Sequence, residues 1–548
     1  ETMNMKTSRY LFVACVGGFL LSSCYKDKGD YVYNEDIHDI SVKLESVYGM
    51  RKSDGIMTCN IDPEIETADG DKSYLEYVWI RYNEKSGVED TVCKTERCTF
   101  ELDPNASDFS YKYSLQLYVT DKHTNGVTMV PTSLEITKPY SYSWIVLHET
   151  DNHAEVGTVE YVGGKAMVIA NAYTADRGES LTGKPVSLAV VKNSVDATNF
   201  KYQSVSQIYV TTTNVEESGL LNQTDHFKQM APWNQLVHTS QANDIDFENM
   251  QFGMGDPGLV VTSNGNIFRN NYRSPFMFEM KVDPSLTGEC YFDKCESGST
   301  IGIAYDKKGH RFVMLNFSSN WRGYEQSSVT SAGTISAIGN TAENAADPNK
   351  VPEDYNLIHF INGYRYELTN PGAILKYQVY AYCLSPDGQS HVYVFRYRPL
   401  LSTRYGASVP FFFSFKTPQG VTESTPMTSS YEYSNIIFYA VGNKIYKLDL
   451  ATGESALIYS LEEQTDQIID LKMAVEGYTD DASAFTGSST YGHPYTRCLG
   501  AAVNTADGKG KIVVLQLNSA GKVEKEEKKW PNEQLYEGFG KIKAIDFI

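Results

Sequence analysis

Between residues 31 and 137 apolar side chains recur at every second position in short segments: DISVKLESV, GIMTCNIDPEIE, YLEYVWIRY, TVCKTERCTFEL, YKYSLQLYVTD and VTMVPTSLEIT. A period of two is the mark of a half-buried strand. The segments are rich in β-branched and aromatic residues and are separated by turn signals such as Asn125-Gly126. Together they predict a small two-sheet β-sandwich, with Trp79 of YVWIRY in its core.

The texture changes at KPYSYSW, residues 138–144. Beyond it, strand pairs recur around tight turns, as in GLVVTSNGNIFRN from Gly258 and IGIAYDKKGHRFVMLNF from Ile301. The clearest unit runs NIIFYAVGNKIYKLDLATGESALIYSL from Asn435: strand, Gly-Asn turn, alternating strand, Ala-Thr-Gly turn, strand. Such units repeated over several hundred residues predict a β-propeller. Counting SWIVLHETDNHAEVGTVEYV at its start and GKIKAIDFI at its end, the spacing fits seven blades, with six or eight as alternatives. The last strand is expected to complete the first blade and remove the free edge. A short helix is expected near residues 224–230. The expected fold class is therefore all-β, an N-terminal sandwich of immunoglobulin or PKD type (36–138) followed by a propeller (139–548).

The N-terminal segment adds an address. Lys6 and Arg9 precede a mostly apolar run over residues 10–21, and Ser22-Ser23 lead into Cys24. This is the layout of a secretory signal ending in a lipobox, so residues 1–23 are expected to be removed, Cys24 to be lipidated and 24–35 to form the tether. Acyl chains on Cys24 would hold the chain to a membrane, since each buried methylene adds about 0.8 kcal/mol and one chain alone holds only marginally. A formal charge of -20 with pI near 5.0 argues against a nucleic-acid surface, which needs a basic footprint. Export permits disulfides, and Cys93-x4-Cys98 and Cys290-x4-Cys295 have the spacing of local pairs.

The motifs of catalysis are weak. HETDNH places His148 and His153 five residues apart in a strand-rich segment, which does not match the helical H-E-x-x-H of zinc proteases. NIDPEIETADGD lacks the glycine and terminal glutamate of an EF-hand loop. There is no nucleophile elbow and no phosphate loop, so no catalytic residue, metal or cofactor is expected. The material for binding is better, because the chain holds 39 Tyr and 5 Trp and several stand in polar, loop-like settings beside hydrogen-bond donors. Candidate ligand or partner residues are Trp233 in APWNQLVH, Trp321, Arg322 and Tyr324 in SSNWRGYEQ, and Tyr397 and Arg398 in YRPLLSTRYG.

The lipobox, the CYKDKGDYVYNE tether, the YVWIRY core and the YSWIVLHETD segment together resemble the PKD-like family lipoproteins of Bacteroidota. That resemblance implies a noncatalytic surface accessory beside a SusC-type TonB-dependent transporter and a SusD-type lipoprotein, handling oligosaccharide or peptide cargo. It also implies an outer-membrane location facing the cell exterior; Asp27 and Asp30 partly match the acidic surface-export signal. The alternatives are a glycan-degrading hydrolase or lyase, whose paired carboxylates no sequence spacing reveals, and a protein-binding scaffold or adhesin.

Overall fold

The computed structural model describes residues 40–140, 143–162, 165–195, 202–214, 216, 218–222, 227, 229–232, 251–255, 258–263, 265–270, 278–281, 292–297, 301–317, 333–366, 376–400, 404–430, 432–474, 497–524 and 533–548. In its first part a five-stranded sheet has the order β2 (Val47–Arg51), β9 (Val127–Thr137), β8 (Lys112–Asp121), β5 (Leu75–Asn83), β6 (Glu89–Cys93). Two short pairs share a core with it: β1 (Ile40–Lys43) with β4 (Glu64–Thr67), and β3 (Met57–Ile61) with β7 (Cys98–Leu102). Alternation decides the layers. In β8, Tyr113, Leu115, Leu117 and Val119 point inward while the intervening residues stay partly exposed. Trp79 sits at the centre with no exposed surface, and its indole Nε1 donates to the carbonyls of Thr95 (3.1 Å) and Glu96 (3.3 Å). Burying so large a ring is favourable only because that N–H finds partners.

The second part is a ring of seven sheets among the described residues, each an antiparallel meander. Blade 1 holds β10 (Ser143–Thr150), β11 (His153–Val162) and β12 (Lys165–Ile169); blade 2 holds β13 (Pro185–Val195), β14 (Tyr202–Thr212), β15 (Gly219–Asn222) and β16 (Gln229–Pro232). Blade 3 holds β17 (Gln251–Gly255), β18 (Gly258–Ser263), β19 (Asn266–Asn270) and β20 (Phe278–Lys281), and blade 4 holds β21 (Phe292–Ser297), β22 (Ile301–Asp306), β23 (Arg311–Phe317) and β24 (Gly333–Ser336). Blade 5 has β26 (Asn356–Tyr366), β27 (Lys376–Leu384), β28 (Gln389–Leu400) and β29 (Arg404–Lys416), with β25 (Asn340–Thr341) added in parallel at its rim. Blade 6 is β30 (Met427–Thr428), β31 (Ile436–Val441), β32 (Lys444–Asp449) and β33 (Ser455–Ser460); blade 7 is β34 (Gln467–Met473), β35 (Cys498–Asn504), β36 (Gly510–Gln516) and β37 (Glu533–Phe539). The final strand, β38 (Lys541–Phe547), pairs with β10 and supplies the innermost strand of blade 1. The innermost strands β38, β13, β17, β21, β26, β30 and β34 lie each against the next around the ring.

The closure is stapled by polar side chains. Asp470 on β34 accepts a hydrogen bond from the Ile545 amide (3.0 Å), and Asp546 on β38 accepts from the Val190 amide of blade 2 (2.8 Å). Asn504 donates to the Ile542 carbonyl (2.9 Å) and accepts from its amide (2.7 Å). Trp144, fully buried, packs edge-on to Phe547 with centroids 4.9 Å apart and reaches across to blade 7 over Gly500, where a Cβ would stand 2.5 Å from the indole. Only glycine fits that approach.

Because strands alternate in direction, the connections between blades and the hairpins joining second to third strands open on one face. First-to-second and third-to-fourth connections open on the other. The chain enters β10 at that second face, so the sandwich sits there. Arg51, the last residue of β2, locks the two parts together. Its Nε donates to the fully buried Glu160 carboxylate on β11 (3.1 Å), its Nη2 lies 3.7 Å from Asp176, and its guanidinium carbon is 4.7 Å from the Tyr140 ring centroid. Burial pushes the Glu160 carboxyl up, and Arg51 pulls it back toward the charged form. Lys165 and Glu45 add a second, exposed pair at 2.7 Å. Tyr140 takes a left-handed backbone, φ 58°, which is uncommon for a bulky residue, and lays its ring against Phe227.

Among the described residues the helix is α1 (Ala172–Arg177); of the segment 224–230, Gln229 and Met230 begin β16, and residues 224–226 and 228 lie outside the described residues. Gly500→Val should overpack the Trp144 contact and cost about 1–3 kcal/mol. Gly339→Ala, with open space around its Cβ position, should leave the melting midpoint unchanged. Thermal unfolding checks this; equal midpoints for Gly500→Val and wild type would contradict the closure described.

Candidate functional site

Blade 5 carries the longest hairpin, β28 and β29. Its base is fixed at the β27–β28 turn, where Gly388 has φ 78° and Asp387 accepts from the Ser385 hydroxyl. That hydrogen bond holds the Asp387 carboxyl below its usual range. His391 Nε2 lies 2.9 Å from the same Ser385 oxygen, its Nδ1 lies 3.0 Å from Ser414 Oγ, and its ring stacks on Tyr355 at 3.9 Å. With its proton given to Asp387, Ser385 accepts from the imidazole, and the Ser-His contact is a turn staple in this arrangement.

Further along the hairpin, the register sets Val394 opposite Phe411 and Tyr393 opposite Phe412. Phe412 turns inward, its ring 4.9 Å from Tyr393. Phe411 and Phe413 lie on the opposite side of the strand, nearly parallel at 6.2 Å; Phe413 packs against the core between blades 5 and 6, and Phe411 is 41% exposed. The Arg396 guanidinium lies 5.1 Å from the Phe411 centroid. Its orientation is fixed from below by the buried Gln378 amide, which, turned so that both its ends are satisfied, accepts from Arg396 Nη2 (2.6 Å) and Nε (2.8 Å) and donates to Tyr380 Oη. An exposed ring with an anchored guanidinium can stack on a flat ligand, hold an anionic or carbonyl group, or seat a protein side chain. Arg396, Phe411 and Phe413 were not among the residues singled out from sequence; the Phe-Phe-Phe run with an arginine on the preceding strand was the available signal.

Tyr397 and Arg398 belong to the same hairpin. They are in β28, opposite Ala407 and Gly406, and not in a loop; the ladder continues to the Leu400–Arg404 pair because Pro399 is tolerated near a strand end. Trp233, Trp321, Arg322, Tyr324 and the lipidation candidate Cys24 lie outside the described residues, as do Cys290 and the side chain of Cys295.

HETDNH forms the β10–β11 hairpin, turning through Asp151 (φ 49°) and Asn152 (φ 65°) with Thr150 paired to His153. His148 is fully buried: its Nε2 lies 2.8 Å from the Ala170 carbonyl, and its Nδ1 accepts from the Gly540 amide at 3.1 Å. This pattern needs a neutral ring with the proton on Nε2. Among the described residues no three His, Cys, Asp or Glu side chains are grouped as metal ligands, and no helix is long and apolar enough to cross a membrane.

The strand order thus defines an all-β protein, a sandwich followed by a seven-bladed propeller. Residues 24–185 match the PKD-like family, a span that starts at Cys24 and reaches the first residue of β13. No curated protein matches the chain. Among solved structures it is similar to a quinoprotein alcohol dehydrogenase-like protein from Bacteroides thetaiotaomicron, with 14% identity, 90% of this chain and 95% of that one covered, and a TM-score of 0.39. It is similar to the extracellular domain of a putative hybrid two-component system from the same organism, with 11% identity, 81% and 62% coverage and a TM-score of 0.28. It is also similar to PorZ, a surface component of the type-IX secretion system of Porphyromonas gingivalis, with 10% identity, 74% and 48% coverage and a TM-score of 0.26.

Burial lowers the His148 pKa from its ordinary 6.5. Stability linked to it is therefore full above about pH 6.5 and is lost as pH falls through the folded value. His148→Asn, whose carbonyl can replace Nδ1 as acceptor for Gly540, should show a shallower loss of melting midpoint below pH 6.5 than wild type. Parallel curves for the two proteins would contradict the neutral, buried assignment.

Proposed function

We propose that this chain is a noncatalytic, lipid-anchored surface lipoprotein, an accessory subunit of a SusCD-type outer-membrane uptake system, and that the blade 5 hairpin contacts the transporter assembly or its oligosaccharide or peptide cargo. The observation that carries the binding part is the exposed Phe411 ring, backed by Phe413, with Arg396 held beside it. Rings and arginines are the residue types that dominate interface energetics, where truncation of a central residue commonly costs about 2 kcal/mol or more. The lipobox at Cys24 and the PKD-like match beginning at that residue support the anchored part. The sandwich, locked at Arg51, then serves as a stiff base that fixes the orientation of the ring relative to the tether.

The test uses the native strain. Cys24→Ala should abolish labelled-palmitate incorporation and release the protein or trap its precursor. Phe411→Ala and Arg396→Ala should fold normally but recover roughly thirtyfold less SusC-type and SusD-type protein, or bind oligosaccharide or peptide that much more weakly by calorimetry. Undiminished recovery and cargo binding in both variants would remove the hairpin from the proposal, undiminished lipid labelling would remove the lipoprotein reading, and glycan cleavage by the purified chain would favour the enzyme alternative.

A further inference from the structure

Cys93 and Cys98 occupy an unusual position in the sandwich. Cys93 ends β6, the edge strand of the five-stranded sheet, and Cys98 begins β7 in the facing pair, with only residues 94–97 between them. Both are free thiols in this structure. The turn is folded over Cys93: its Sγ lies 2.9 Å from Thr95 Oγ1 and 3.5 Å from the Arg97 carbonyl oxygen. The Arg97 carbonyl that Cys93 reaches belongs to the residue directly before Cys98, and β6 and β7 lie against each other at this turn. Trp79, which pairs with Cys93 in register, holds the same turn from beneath through the Thr95 and Glu96 carbonyls.

We propose that Cys93 and Cys98 form a redox pair that closes to a disulfide, clamping the two sheets of the sandwich across the β6–β7 turn. The two sulfurs differ in the way such chemistry requires. Cys93 is partly exposed and its thiol is pulled below its ordinary range by hydrogen bonds from Thr95 and the turn, against the opposing effect of burial. Cys98 has no exposed surface and burial pushes its thiol far up. The Cys93 thiolate therefore attacks one sulfur of an external disulfide, either a dithiol oxidoreductase in its oxidised form or a small-molecule disulfide, and the other sulfur leaves as a thiol. Cys98, losing its proton, then attacks the Cys93 sulfur and expels the second thiol. Two protons and two electrons pass from the pair to the external disulfide. Cys59 is the competing partner for Cys98, but the β3–β7 register sets Ile61 opposite Cys98 and Cys59 opposite Phe100, two residues out of step.

The chain is arranged for a direct test, because Lys85, Lys94, Arg97 and Lys112 are tryptic sites. The full folded chain is equilibrated with oxidised glutathione, denatured with iodoacetamide present and digested without reductant. Peptides 86–94 and 98–112 should appear joined, lighter by two hydrogens than their sum, with residues 95–97 released, and should separate on reduction. In addition, reductant should lower the melting midpoint of the sandwich by about 5 °C in wild type and leave that of Cys93→Ser unchanged. Full alkylation of both peptides after oxidation, or Cys98 joined to the peptide carrying Cys59, would overturn the proposal.

Discussion

The pairing of β38 with β10 is the constraint on which the rest of the ring depends. A propeller blade is a short antiparallel sheet with open edges, and blades stay together only if every inner strand has a neighbour on both sides. Here the last seven strand residues travel back to the first blade and bury Ile542, Ile545 and Phe547 against Trp144 and Val146. The carboxylates of Asp470 and Asp546 extend the pairing sideways, each taking a backbone amide of the next inner strand. A partly buried carboxylate is tolerable when it accepts such hydrogen bonds, and in return it fixes which strand lies beside which. His148 belongs to the same seam, tying Gly540 to the β10–β11 hairpin.

A closed ring changes what the sandwich can be. A domain joined through a single chain segment would swing, but Arg51 reaches from β2 into a buried site on blade 1 and finds Glu160, Asp176 and the Tyr140 ring together. Leaving Glu160 without Arg51 would strand a buried carboxylate, so the joint resists separation. The PKD-like match, residues 24–185, spans both sides of this joint and includes Arg51, Tyr140, Glu160 and Asp176. The hairpin of blade 5 is thereby held in a fixed relation to the sandwich, as the proposed binding role requires.

Much of this was legible in the chain wherever structure is local. The unit from Asn435 reads correctly because Gly442-Asn443 is a two-residue turn between strands of strict alternation, with Val441 paired to Lys444. The burial of Trp79 and the return of GKIKAIDFI to the first blade follow from the same alternation. The six-residue helix at Ala172–Arg177 was missed because so short a segment has no stable periodicity of its own and exists through packing of Ala172 and Tyr173. The polar, loop-like setting of Tyr397 and Arg398 proved to be strand, since the β28–β29 ladder runs on to the Leu400–Arg404 pair. Arg51–Glu160 and Asp470–Ile545 join residues 109 and 75 positions apart, and no local pattern announces such pairs. The Arg396–Phe411 contact depends likewise on hairpin register, which fixes who faces whom only after the strands have paired.

Hydrogen exchange at the closing seam tests the account most directly. The amides of Ile545, Ile542 and Val190 are each held by a side chain from a neighbouring strand or blade, so under native conditions they should exchange only with global opening of the ring, as slowly as the amides of the central strands β35 and β36. Exchange of the β38 amides at the rate of a free chain, while β35 and β36 stay protected, would show that the last strand does not close the propeller.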